Sequence, residues 1–319
     1  MSSSAQTPSH YPTYNVHMSQ EQLASIAGVG FPEYCLDKVQ QLEHGKSFNN
    51  RIYFLDLVPL GDDKTARLEV VLKACGHYFG AWKIQNEVGA LLLLKQHCPS
   101  VPTPKLLAWS DDGKTIECVG DHKVEVSTAQ AASLQSPHGW ILISRLTGRI
   151  LQPSDPDGPH GPALLGQLAH HVFNWRTSLP KVNSMGNIRP DSHARDTLPV
   201  DLEGRRFEIG GLILNNKYDA AAYLSWTEHY KSVLKDKYEH LVTAIELKAL
   251  AERIADPVST FLPMISRLPF LTHNNNISFT HMDLSPRNIL VSETSLHADG
   301  LLVITVIIDW EFAALSQST

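Results

Sequence analysis

The stretch Phe279-Thr280-His281-Met282-Asp283-Leu284-Ser285-Pro286-Arg287-Asn288-Ile289-Leu290-Val291, with the apolar run Leu301 to Ile308 that follows it and ends in Asp309, constrains the chain more than any other feature. Ile289 to Val291 opens a strand, Asp299-Gly300 carries a hairpin turn signal, and Leu301 to Ile308 reads as the return strand. A hairpin that leaves from Asn288 and comes back to Asp309 places those two side chains at one open end. Asp283, five residues before Asn288, sits on the loop feeding that end. An amide oxygen and a carboxylate converging there suit magnesium, a hard cation that prefers oxygen ligands. A third oxygen-bearing side chain beside them can accept the proton of an incoming hydroxyl.

The rest of the chain divides in character. Ser19 and Gln22 form a capping box that opens a helix ending at Gly28 to Gly30. A second helix is expected from Pro32 through Leu36, Val39 and Leu42 to Gly45. Two β-rich runs follow, Arg51 to Val58 and Arg67 to Ala74, joined by the turn Pro59 to Asp63. Trp82 to His97 has helical spacing with a wide apolar face, and Val101-Pro102-Thr103-Pro104 breaks it. Lys105 to Ser110, Thr115 to Val119 and Trp140 to Leu146 read as strands, before the breaker Thr147-Gly148. Beyond it, Ala163 to Thr177, Ala220 to Leu250 and a segment to Leu262 read as helices, with a polar connection from Lys181 to Gly211. A strand-rich first half before a helix-rich second half predicts an α+β fold of two lobes, residues 21–148 and 149–319, after a structureless tail of residues 1–20.

Composition narrows the function. The 319 residues, 43% of them apolar, suffice for two buried cores. A net charge of −6 and the lack of a basic stripe speak against nucleic-acid binding. The start of the chain lacks the pattern of a signal peptide, and no apolar run is long enough to cross a bilayer, so a cytoplasmic protein is expected. Cys35, Cys75, Cys98 and Cys118 make no C-x-x-C pair and are expected as buried or half-buried thiols. The 16 histidines include no H-E-x-x-H pattern.

The H-x-D-L-x-x-x-N pattern at His281 to Asn288, with Asp309 beyond it, resembles the catalytic loop and metal aspartate of protein kinases. It is more similar to the aminoglycoside phosphotransferase and choline kinase branch, because Asp309 is followed by Trp310-Glu311-Phe312. The resemblance covers the chain from about Gly45 onward. It implies a two-lobed protein-kinase-like fold, ATP held between the lobes, Mg2+ on Asn288 and Asp309, and Asp283 as catalytic base. Lys73 takes the position that contacts the α- and β-phosphates, and Glu87, fourteen residues later, matches the glutamate that pairs with it. Gly45 to Arg51, with Ser47, occupies the phosphate-loop position. It lacks the three glycines of a protein-kinase loop, which argues against a protein kinase proper. Leu142 to Leu146 resembles the hinge between lobes, where the backbone of Ser144 to Leu146 would meet adenine.

The expected activity is transfer of the γ-phosphoryl group of ATP to a hydroxyl of a small molecule. Two alternatives stand beside it. One is a nucleotide-binding pseudoenzyme or inactive truncated regulatory form. The other is a metal-dependent hydrolase with His281 and Asp283 as ligands, which would want a further histidine cluster. Members of the resembled family usually continue into more helices than the eight residues after Glu311 allow. The acceptor site is then expected from the Lys181 to Leu250 insert, or from a protein partner or dimer covering the open lobe. Arg287 reads either as a loop-stabilising ion pair or as a contact to substrate or phosphate, and Trp310 as a core residue.

Overall fold

In the computed structural model, which describes residues 9–43, 45–61, 66–76, 78, 80–118, 138–191, 206–212, 222–268, 277–293 and 302–317, two apolar alternating runs organise the first lobe. Helix α1 (Gln20–Gly30) opens on the expected capping box, in which the Ser19 hydroxyl accepts from the Gln22 N–H and the Gln22 side chain accepts from the Ser19 N–H. Strands β1 (Tyr34–Gln41), β2 (Asn50–Pro59) and β3 (Leu68–Cys75) lead into helix α2 (Gly80–His97). With β4 (Leu106–Ser110), β5 (Glu117–Cys118) and β6 (Trp140–Ser144) they form a six-stranded antiparallel sheet, ordered β1-β2-β3-β6-β4-β5. Alternate strand residues face opposite sides. Tyr53, Leu55, Leu72 and Ala74 therefore face α1 and bury with its Leu23 and Ile26. Ile52, Phe54, Val71 and Lys73, paired Ile52 to Lys73 and Phe54 to Val71, take the other face.

The second lobe contains β7 (Arg149–Ile150), α3 (Gly161–Ser178), β8 (Gly186–Asp191), β9 (Arg206–Ile209), α4 (Trp226–Thr243) and α5 (Lys248–Phe261). It continues through β10 (Ile277–Thr280), β11 (Ile289–Glu293), β12 (Leu302–Ile307) and β13 (Ala314–Gln317). Two small sheets result, ordered β12-β11-β7 and β10-β13-β8-β9. One core runs through both lobes, joining Ile84 and Val88 of α2 to Trp175, Phe279 and Trp310. Trp310 is the expected core residue: its ring stacks on Phe279 at 5.8 Å, meets Trp175 edge-on at 5.2 Å, and its Nε1 donates to the Ile307 carbonyl at 2.9 Å.

Several expectations are corrected. The helix expected from Pro32 to Gly45 is strand β1, antiparallel to β2 with an irregularity between Leu36 and Lys38. Tyr34, Leu36 and Val39 fit both periodicities, and a strand edge left open on β2 decides between them. The tail is packed from Tyr11 onward. Val16 and Met18 are buried, the Arg51 guanidinium donates to the Thr13 and Val16 carbonyls, and the Met18 N–H donates to the Tyr53 hydroxyl. The polar connection from Lys181 to Gly211 contains β8 and β9, which pair with each other, while β8 also pairs with β13. Helix α2 accepts β8 because Gly89 leaves room: a Cβ there would lie 2.9 Å from the Ile188 carbonyl oxygen. The helix expected over Ala220 to Leu250 begins only after Ser225, which caps Glu228, and breaks after Thr243 before α5. Cys35 is exposed on its edge strand, while the other three thiols are buried or half-buried. Asp62, Asp63, Val119 and the Asp299-Gly300 turn lie outside the described residues. No helix among the described residues is long and apolar enough to cross a membrane.

Burial lowers the pKa of His97, His171, His229 and His281 below the ordinary histidine value. Each then contributes stability present above the unfolded-state pKa of about 6.5 and lost as pH falls toward the folded value, because the unfolded chain takes up the proton first. His229, packed among Tyr223, Trp226 and Tyr230, is the cleanest case. Urea titrations at pH 7.5 and 5.5 are expected to show a smaller loss on acidification for His229→Phe than for the wild-type chain.

Candidate active site

The hairpin returns as its sequence requires. Ile289 pairs with Ile307, and the Ile308 N–H donates to the Asn288 carbonyl at 2.9 Å, so Asn288 and Asp309 flank one end of it. The Asn288 amide donates to the Asp283 carbonyl at 2.8 Å and to its carboxylate at 3.2 Å. Among the described residues this leaves the Asn288 Oδ1 without a partner. His281 is occupied on both ring nitrogens, since Nε2 meets the Ile308 carbonyl at 2.9 Å and Nδ1 accepts from the Asp283 N–H at 3.4 Å. A ring so engaged staples the loop to the return strand, which speaks against the hydrolase reading. Met282 and Asp309 both hold left-handed backbone, φ 64° and 68°. Neither is glycine, and such positions persist only where the surroundings impose them.

Lys73 and Glu87 form the expected pair: the ammonium donates to both carboxylate oxygens at 2.7 Å, and also reaches Asp309 Oδ1 at 2.8 Å. Glu311 joins the group, 3.8 Å from Lys73 and 3.4 Å from the buried Lys83. Oxygens of Glu87, Asp309 and Glu311 lie within 4.8 Å of one another. Three carboxylates against two ammoniums leave one negative charge uncompensated. Burial, opposed by the Lys73 charge and reinforced by Asp309 and Glu311, pushes the Glu87 carboxyl up to about 7. Burial would also raise Asp309, but the Lys73 ammonium overrides it and holds that carboxyl below its ordinary value. The side chain of Asp309 is 27% exposed, against 4% for Glu87 and 0% for Glu311. A divalent cation entering from solvent would meet Asp309 first, so the donor set fits a hard cation on Asp309 and the Asn288 amide oxygen.

Arg287 takes both oxygens of Asp283 at 2.9 Å. Of the hinge residues, Ser144 is engaged with β4: its N–H donates to the Lys105 carbonyl and its hydroxyl accepts from the Lys105 N–H, both at 2.9 Å. The Arg145 N–H donates to Glu69. Among the described residues only the Leu146 N–H of this trio has no partner, so it alone can donate to a base. Ile52, Phe54 and Val71, half-buried on the Lys73 face of the sheet, offer an apolar surface for a ring, with the Arg145 guanidinium 4.9 Å over Phe54. Ser47 lies half-buried in the loop between β1 and β2, downstream of Gly45, whose φ of 81° favours glycine. The structure thus joins Lys73, Glu87 and Asp309 by ion pairs and Asp283 to Asn288 by hydrogen bonds, the two groups meeting at the hairpin end, and among the described residues none of these bonds reaches Ser47 or Ser144. Sequence reasoning missed Glu311, Lys83, Asn49 and Asn50. Their signal was the placement of Glu311 two residues after Asp309 and of two asparagines at the root of β2.

No protein-family profile and no curated protein matches the chain. Among solved structures it is similar to APH(2'')-IIa in complex with gentamicin, with a TM-score of 0.51 and 10% identity over 94% of this chain and 73% of that one. The streptomycin–ATP ternary complex of APH(2'')-IIa aligns over the same shares with a TM-score of 0.49 and 11% identity. The chain has the α+β, two-lobed, protein-kinase-like fold of the aminoglycoside phosphotransferases.

Proposed function

We propose that this protein is an ATP- and Mg2+-dependent phosphotransferase that moves the γ-phosphoryl group onto a hydroxyl of a small molecule, with ATP between residues 21–148 and 149–319. The observation that carries it is the convergence of Lys73, Glu87 and Asp309 on the hairpin end that also presents Asn288 and Asp283. Glu87 holds Lys73 in one direction, so that its charge is offered to the α- and β-phosphates. Bound at Asp309 and Asn288, a magnesium ion would offset phosphate charge. Asp283 orients the acceptor hydroxyl and takes its proton as the oxygen–phosphorus bond forms. The bond to the bridging oxygen breaks, releasing ADP and a phosphate ester. The Leu146 N–H receives the base against Ile52, Phe54 and Val71. ATP dependence and four free thiols accord with a cytoplasmic setting.

Calorimetry of ATP with and without MgCl2, followed by transfer assays over amino alcohols, sugars and aminoglycosides, tests this reading. Expected are Mg2+-dependent binding and ADP formation that an acceptor stimulates; absence of ATP binding would overturn it. The grip of Arg287 on both oxygens of Asp283 favours a second reading, a nucleotide-binding protein without transfer activity. That one predicts ATP binding with no acceptor-stimulated turnover.

A further inference from the structure

We propose that Glu311 is a positioning residue, a buried latch that fastens the root of the phosphate-position loop to the return end of the β11–β12 hairpin, and not a metal ligand. Its Oε1 accepts from the Asn49 amide and its Oε2 from the Asn50 amide, both at 2.7 Å, across 262 and 261 residues of sequence. Lys83, on the first turn of α2, completes the knot: its ammonium donates to the Asn50 Oδ1 at 2.8 Å and the Asn49 carbonyl at 3.0 Å, and lies 3.4 Å from Glu311 Oε2. The Asn49 carbonyl also receives the Gly76 N–H at 2.9 Å, and the Glu311 carbonyl receives the Asn86 amide at 2.9 Å.

Three separate elements meet in this cluster: the start of β2, the start of α2 and the turn after Asp309. For Glu311 to bind a metal it would have to loosen its hold on two asparagine amides, of which that of Asn50 is buried, and a buried donor left unpaired is costly. Asp309, with a side chain 27% exposed, holds Lys73 through Oδ1 and ties no asparagine amide. The latch instead fixes Asn49 and Asn50 relative to Asp309. Asn50 lies two residues before Ile52, the cross-strand partner of Lys73, so the same tie sets the height of Lys73 above the metal corner. At the loop tip Phe48 is more than half exposed, and its ring packs on that of Tyr11 at 5.0 Å. Rooted this way, the loop is aimed without the three glycines of a protein-kinase loop.

As a contribution to nucleotide binding the latch rests on the proposed reaction; as a mechanical tie it does not. Hydrogen exchange on the full chain without nucleotide therefore tests it first, in Glu311→Gln, Asn50→Ala and the double variant. Each single change is expected to speed exchange over residues 45–52 by about tenfold, with the double adding little, because both cut one tie. Should Glu311→Gln not fold, Asn49→Ala and Asn50→Ala, singly and together, give the same comparison. Unchanged exchange in this stretch, or additive effects, would overturn the latch. In steady-state assays the single variants are expected to raise the nucleotide KM about tenfold, with kcat and the half-saturating Mg2+ concentration near wild type. A Glu311→Gln chain with intact loop protection and a tenfold higher Mg2+ requirement would make Glu311 a metal ligand and end the proposal. If wild type binds no ATP, the proposed reaction fails and the exchange data alone decide the latch.

Discussion

Replacing Asp283 by alanine is expected to cut acceptor-stimulated transfer by about 100- to 10,000-fold while ATP and Mg2+ bind as before, the range for loss of a positioned general base. The separation of the two effects follows from the geometry. Asp283 touches Arg287, the Asn288 amide and His281, while Lys73 is held by Glu87 and Asp309. Its removal leaves the Lys73–Glu87–Asp309 group intact, so the nucleotide Kd from calorimetry stays near wild type and the loss falls on kcat. Asp283→Asn isolates the proton step, because an amide can still pair with Asn288 but cannot take up the acceptor proton. Arg287→Ala supplies the contrast: freeing both carboxylate oxygens affects orientation of the base but not its presence, so its loss of kcat is expected to be smaller. If wild type is already as silent as Asp283→Ala while both bind Mg2+ and ATP, the transfer reading is wrong and the non-catalytic one holds.

The parts of this site that could be read from sequence are those whose partners are near in sequence or fixed by regular geometry. Asn288 and Asp309 meet because a two-stranded hairpin brings its ends together whatever surrounds it, and Lys73 and Glu87 follow from a strand running into a helix. Strand β1 reads as a helix in sequence because Tyr34, Leu36 and Val39 satisfy a helical spacing as well as a bulged strand, and only the edge of β2 distinguishes them. Strands β8 and β9 were hidden for the same reason, since β8 owes its form to β13 and to α2, both remote in the chain. The packed segment from Tyr11 to Met18 is largely polar, but its Thr13 and Val16 carbonyls are satisfied by Arg51, a partner that composition does not show. At the hinge, any residue can supply backbone groups, and only the pairing of Ser144 with Lys105 reveals that Leu146 is the free donor. Glu311 gave least warning of all, because its partners lie across the whole fold.

Lys73→Met is expected to destabilise the chain by about 3–5 kcal/mol, the usual cost of removing one member of a buried ion pair and leaving the other uncompensated. Among the described residues Lys73 is the single cation paired with both Glu87 and Asp309, and burial alone already opposes ionisation of Glu87. Without that ammonium, three carboxylates share one cavity with Lys83, and the least exposed must take up a proton or the cavity must admit water. Removing a second charge should then help. Lys73→Met with Glu87→Gln is expected to recover a substantial part of the loss in urea titrations, since the double variant buries one carboxylate fewer, whereas simple additivity would show that the two side chains are not energetically coupled. The half-exposed pair between Arg149 and Asp155, equally short at 2.7 Å, supplies the comparison. With the Arg149 side chain 42% exposed, solvent screens this pair more than the buried one, so Arg149→Ala is expected to move the unfolding midpoint less than Lys73→Met does. Distance is the same in the two pairs, and burial decides what each is worth.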